Sequence, residues 1–315
     1  MTVIARQAWR SKRVAMATCA ALAAFVSVGA VGVERYGLNY WLYRGFPPPH
    51  DASYVTSPGT AQTISVTSAA LGGHAQQVVV YLPPGYADNP AQRYPVLYLL
   101  HGFPGRPQAF LDTVRMGVVE DDLVALNHAQ PVILVMPFGS TGQFTDKEWA
   151  DGVGVNQGWE TFVARDVVHA VDTQFRTIPT RTARAIGGLS EGGYGAINIA
   201  LHHPNEFGVV ESWSGYERPD RIRSIFGAHL RLLARNDPMT ALPSVAPQLR
   251  ALGTYFWIYS GVSDRMLPQN ALFAAMLGRD HIPHRFFEPS GGHNWALWRA
   301  EATRAYLAAA GRLHA

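Results

Sequence analysis

The sequence predicts an α/β fold with a mostly parallel central sheet and helices on both faces, preceded by an N-terminal transmembrane helix, and three observations carry that reading. Residues 94–100 (YPVLYLL) and 131–137 (PVILVMP) are unbroken apolar runs, the pattern of parallel strands buried on both faces. Strand-like and helix-like stretches alternate from residue 63 to the C-terminus, as parallel strands joined by helical crossovers require. A glycine-rich turn with Ser190 at its apex stands between an apolar run at 184–189 and a helical stretch at 196–201. Hydrophobic residues make up 48% of the chain and charged ones 16%, a globular balance far from that of disorder.

Three regions follow from the patterning. Residues 1–34 hold a basic stub (Arg6, Arg10, Lys12, Arg13) and then 14–33, which carry no charge and match the ~20 residues a helix needs to cross hydrocarbon. The positive-inside bias keeps the N-terminus cytoplasmic and sends everything after Glu34 to the far side. Tyr36, Tyr40, Trp41 and Tyr43 read as the aromatic belt of a retained anchor. The alternative is a cleaved signal and secretion, which the alanine richness and Val28-Gly29-Ala30 would suit. Residues 35–62, with Pro47-Pro48-Pro49, read as a linker, and 63–315 as the catalytic domain. The net charge of +3 owes much to the basic stub and argues against a nucleic-acid partner. A single cysteine, Cys19, excludes an internal disulfide.

Within the domain, 63–67 and 76–82 read as a hairpin-like pair closed by Pro83-Pro84-Gly85. Strands are expected at 94–100, 131–137, 184–189, 207–212, 255–260 and 284–288. Apolar residues at Phe162, Val163, Val167, Val171 and Phe175 predict a helix over 159–175 with one face on the sheet, and a further helix is expected at 269–279. No internal repeat is present.

In an open sheet of this kind chemistry gathers at the carboxyl ends of strands. Gly188-x-Ser190-x-Gly192 matches the nucleophile elbow, which lifts a serine hydroxyl clear of the sheet. In a chain with 30 glycines the motif alone is weak. It gains weight because His101-Gly102-Phe103-Pro104-Gly105, Ser260-Gly261-Val262-Ser263-Asp264 and Ser290-Gly291-Gly292-His293 also fall at strand ends. The order Ser190, Asp264, His293 is the nucleophile, acid, base order of α/β-hydrolases. His293 would accept the serine proton, and Asp264 would fix its tautomer and stabilise the imidazolium. Glu288 and Asp280 are rival acids. Glu191, directly after the nucleophile, supplies one backbone donor for a developing oxyanion by its position.

On Leu99-Leu100-His101-Gly102-Phe103, Trp159-Glu160-Thr161-Phe162, Gly188-Leu189-Ser190-Glu191-Gly192-Gly193, Asn236-Asp237-Pro238 and His293-Asn294-Trp295-Ala296-Leu297-Trp298, the chain resembles an α/β-hydrolase esterase family. That family joins esterase D type enzymes, bacterial feruloyl esterases and mycobacterial mycolyltransferases. The resemblance implies that the second oxyanion donor is the backbone N–H of Phe103. Asp264 and His101 depart from the glutamate and L-L-D-G run of mycolyltransferases and stand closer to ordinary esterases. Arg106, Trp159, Trp295 and Trp298 are substrate-binding candidates, and Trp149 could also line a pocket, although aromatics of this size are equally ordinary core residues.

The expected function is a serine esterase acting on a small-molecule or lipid ester, extracytoplasmic and held by its N-terminal helix. The alternatives are an acyltransferase of the mycolyltransferase type and a non-catalytic binding module on a hydrolase scaffold. No cofactor or metal is expected, since no H-E-x-x-H or similar pattern occurs and His202-His203 and His281 read as surface or packing residues. The sequence leaves the oligomeric state open.

Overall fold

The computed structural model describes the backbone of residues 3–140 and 147–314, with side chains from Ala15 onward. The chain divides after Pro48 into two units. The first is a single helix, Val3–Tyr43, in which the 29 residues Ala15–Tyr43 are long and apolar enough to cross a membrane by length and composition. It overruns the boundary expected at residue 34 because Glu34 and Arg35 continue a helix readily and the first proline is Pro47. It stops where Arg44 and Gly45 take positive φ (55° and 84°), ahead of three prolines.

In the second unit eight strands form one sheet in the order β1-β2-β4-β3-β5-β6-β7-β8. The strands are β1 (Thr60–Ser68), β2 (His74–Leu82), β3 (Val96–Leu100), β4 (Ile133–Pro137), β5 (Arg184–Leu189), β6 (Val209–Trp213), β7 (Tyr255–Tyr259) and β8 (His284–Phe287). β1 and β2 are the expected antiparallel hairpin and β2 also runs against β4, whereas β3 to β8 are all mutually parallel. β3 begins two residues later than expected: Pro95 has no N–H for the ladder, and Tyr94 is left in an isolated bridge with Thr177.

Each sheet face has its own apolar core. On one, Tyr98, Leu100, Ile186, Val210 and Ile258 pack against a helical run over 159–174, the helix Glu191–His202 and the helices Pro238–Ala251 and Leu267–Arg279. On the other, Leu97, Leu99, Trp213, Trp257 and Tyr259 pack against the helix Met116–Ala125 and the C-terminal helix Trp295–Ala310. The middle of the 159–174 run, Phe162–Val167, is π-wound, which keeps Phe162, Val163 and Val167 buried in succession. The helix after Ser190 starts at Glu191, five residues before the expected 196, because Gly192, Gly193 and Gly195 depress helix propensity and mask it in the sequence.

Candidate active site

The elbow arises from close backbone approach. β5 lies between β3 and β6, with Leu100 opposite Gly188 and Leu189 opposite Trp213. A Cβ on Gly188 would fall 2.4 Å from the Gly192 carbonyl oxygen, and one on Gly192 would fall 1.8 Å from the Leu100 carbonyl oxygen, so neither position accepts a side chain without moving a strand. Between them Ser190 sits at φ 56°, ψ −123°, a conformation costing on the order of 1–3 kcal/mol for a residue with a Cβ. Neighbouring bonds hold it there: its N–H donates to the Trp213 carbonyl at 3.0 Å, and its own carbonyl accepts from Gly193 N–H at 2.9 Å.

Ser190, His293 and Asp264 meet in one hydrogen-bonded chain. Ser190 Oγ–H donates to His293 Nε2 at 2.8 Å, and His293 Nδ1–H donates to Asp264 Oδ2 at 3.0 Å. Burial pushes the Asp264 carboxyl up, but bonds from His293 and from Met266 N–H, the latter at 2.9 Å, outweigh it and hold the group below the usual aspartate range. The loops carrying Asp264 and His293 are stitched together by Ser263 N–H to the Gly291 carbonyl at 2.9 Å. Immediately after His293, Asn294 caps the C-terminal helix through Leu297 N–H at 3.1 Å. Of the rival acids, Glu288 is exposed and Asp280 pairs with Arg279, so neither meets His293.

Phe103 and Glu191 follow β3 and β5, which are neighbours in the sheet. Glu191 is the first residue of its helix, where amides have no acceptor within the helix and the dipole favours negative charge. The loop carrying Phe103 is held by His101. Its Nδ1–H donates to the Gly102 carbonyl at 2.9 Å, its Nε2 accepts from Gly139 N–H at 3.2 Å, and its carbonyl accepts from Trp149 Nε1–H at 3.0 Å. Burial lowers the His101 pKa to about 4, so the ring is neutral with its proton on Nδ1, the tautomer that both ring bonds need.

The four substrate-binding candidates separate. Trp298 is buried and presents its ring edge-on to His293 at 5.1 Å, and Trp295 stands edge-on to Trp298 at 5.1 Å, so this pair packs beside the His293 ring. Arg106 pairs with Asp112 at 2.8 Å. Trp159 is a correction: it is fully buried in the core with its ring edge-on to Phe162, a packing residue and not a pocket wall. Trp149 is likewise buried, against His101.

Two features escaped sequence reasoning. His101 stood out only as a motif letter. Glu160 is buried and accepts from His202 Nδ1–H at 2.7 Å, His203 Nε2–H at 3.0 Å and Arg235 at 3.2 Å. Burial would raise the Glu160 pKa, yet these partners hold it down at about 2. The pair His202-His203 was the available signal, at the end of the helix that starts behind the nucleophile. Among the described residues no group of His, Cys, Asp or Glu side chains is arranged to hold a metal ion.

The sheet order, the strained serine turn and the hydrogen-bonded serine, histidine and aspartate together define an α/β-hydrolase. The chain belongs to the family described as putative esterases, whose model matches residues 68–308. It is 26% identical over 243 residues to an uncharacterized protein of Corynebacterium glutamicum, covering 72% of this chain and 55% of that one. It is 32% identical over 160 residues to an endo-1,4-beta-xylanase/feruloyl esterase of Xylanibacter ruminicola (50% of this chain, 22% of that one). Over 211 residues it is 25% identical to the diacylglycerol acyltransferase/mycolyltransferase Ag85C of Mycobacterium leprae (53% and 61%). The chain thus spans about half the length, or less, of the first curated relatives it matches. A solved ferulic acid esterase superposes with a TM-score of 0.72 at 25% identity, covering 81% of this chain and 99% of that one. The family and fold expected from the motifs are both borne out.

Proposed function

We propose that this protein is a serine esterase that cleaves a carboxylic ester through an acyl-enzyme on Ser190. The observation that carries the reading is the unbroken chain from Ser190 Oγ through His293 to Asp264. As Oγ attacks the ester carbonyl, its proton passes to His293 Nε2 and the carbonyl π pair moves onto oxygen, where the amides of Phe103 and Glu191 receive the charge. Collapse of that intermediate breaks the bond to the alcohol, which leaves with the proton from Nε2. Water then repeats the sequence on the acyl-enzyme with His293 as base, freeing the acid and Ser190. Asp264 stays ionised throughout and steadies the imidazolium.

An acyltransferase reading is kept because of the mycolyltransferase likeness and because an alcohol can replace water in the second half with the same residues. Hydrolysis is preferred, since Asp264 and His101 follow the esterase pattern. We place the helix Ala15–Tyr43 in the membrane with 49–315 on the extracytoplasmic side, supported by its length and apolarity and by the basic residues before it.

A fluorophosphonate should label the protein at Ser190 and leave Ser190→Ala unlabelled. A folded, unlabelled parent protein would overturn the esterase reading and favour a non-catalytic role. Acylated protein offered millimolar sugars or glycerol should yield free acid, and a dominant transfer product would replace esterase by acyltransferase.

A further inference from the structure

Five large apolar side chains left in water lie on the same end of the sheet as Ser190. Phe103, Val153, Val155, Leu230 and Val262 are all exposed, and they lie on the segments that follow the carboxyl ends of β3, β4, β6 and β7. Val155 is 91% exposed and Leu230 74%, so neither side chain contributes to the core.

The segment 218–235, inserted after β6, holds Arg218, Arg221, Arg223, Arg231 and Arg235 against a single acid, Asp220. Arg235 pairs with Glu160, while Arg218, Arg221, Arg223 and Arg231 are exposed and form no ion pair among the described residues. The segment is not merely a disordered basic stretch. Ile225 and Phe226 are buried with Ala150 in a small core of their own, with Leu232 and Leu233 packed against it, yet Leu230 points outward. Val153 N–H donates to the Ile225 carbonyl at 2.8 Å, which ties the loop of Val153 and Val155 to the insertion. A cleft of about 370 Å³ opens on this segment, lined by Arg221, Arg223, Phe226, His229, Leu230 and Leu233.

We infer that this face docks on an anionic lipid bilayer, with Val155 and Leu230 entering the interface and Arg218, Arg221, Arg223 and Arg231 meeting acidic headgroups. Exposed aliphatic side chains on a segment rich in exposed guanidinium groups have the chemistry of interfacial segments, which add apolar burial to attraction for acidic lipids. An acidic protein would match the charge, but Val155 and Leu230, exposed and aliphatic, supply the apolar insertion that a bilayer takes up and an acidic surface does not. This surface is independent of the chemistry at Ser190 and of the helix Ala15–Tyr43.

The test uses the full chain with Cys19→Ala and an environment-sensitive dye on Ser224→Cys, inserted in bilayer discs of phosphatidylcholine alone or with about a third phosphatidylglycerol. The dye should shift to the blue only on the phosphatidylglycerol discs, and high salt should reverse the shift. Arg221→Gln/Arg223→Gln/Arg231→Gln should weaken docking roughly a hundredfold, at about fivefold for each basic residue near an anionic surface. Val155→Ser/Leu230→Ser should abolish the shift, and Ser190→Ala should dock as the parent does. Turnover of a small water-soluble ester should be unchanged in both surface variants, showing that they are folded. Equal dye spectra on the two kinds of disc would overturn the inference. So would a shift produced by free phosphate or polyglutamate and not by the discs, which would assign the surface to a soluble anion or an acidic protein.

Discussion

Replacing His101 by phenylalanine keeps the ring against Trp149 but removes both nitrogens. The buried Gly139 N–H then loses its acceptor and the Gly102 carbonyl its donor. At about 1–3 kcal/mol for each orphaned group, the variant should be less stable than the parent by roughly 2–6 kcal/mol at pH 7. Protonation makes the prediction sharper. An unfolded chain binds a proton at His101 below pH 6.5, whereas the folded ring resists it until about 4. Its contribution is therefore complete above pH 6.5 and drains away as pH falls to 4, by about 3 kcal/mol at about 1.4 for each pKa unit. Asp264 and Glu160 titrate alike in both proteins, so they cancel. Urea unfolding at pH 7, 5.5 and 4 should show the parent's advantage shrinking by about 3 kcal/mol. Because the same bonds hold the loop of Phe103, kcat for a soluble ester should fall by about 10²-fold or more with KM nearly constant. A stability gap that stays constant with pH, or an undiminished kcat, would refute the reasoning.

Two further outcomes follow from the same geometry. Asp264→Asn should lower kcat by about 10³- to 10⁴-fold while Glu288→Gln stays within about twofold, as steady-state kinetics at pH 7 will show. Glu160→Gln removes the buried carboxylate to which His202, His203 and Arg235 donate and should cost about 3–5 kcal/mol in urea unfolding, with kcat within about threefold. Glu160 titrates near 2 folded and 4.5 unfolded, so its stabilisation is complete above pH 4.5 and is lost only as pH falls toward 2, below the window of His101.

The grouping of Ser190, Asp264 and His293 was legible in the sequence because each member announces itself locally. Gly188 and Gly192 are there for want of space, and Asp264 and His293 close strands at positions the hydrolase order already specifies. Boundaries were harder. Pro95 hid the true start of β3, and three glycines hid the start of the helix at Glu191. Side-chain partnerships between distant segments left no local trace: nothing near residue 101 points to Gly139 or Trp149, and nothing near Glu160 points to residues 202, 203 and 235. Trp159 stayed open between pocket and core because a motif shared with relatives does not say which way a ring faces, and its burial shows the core side.

The strand behind His293 has a consequence for how the protein should wear out. β5 and β3, which deliver Ser190 and the Phe103 loop, are flanked by strands on both sides, whereas β8 is the rim of the sheet, half-covered and bonded only to β7. His293 therefore follows a rim strand, which opens at lower cost than the central strands β3 and β5. Fraying of β8 would loosen the hold on His293 before the central strands part, since only Phe286 and Phe287 of this strand pack on the cores. Heating should silence the protein reversibly before its tryptophans report melting, so that residual activity gauges the integrity of one edge and not that of the fold.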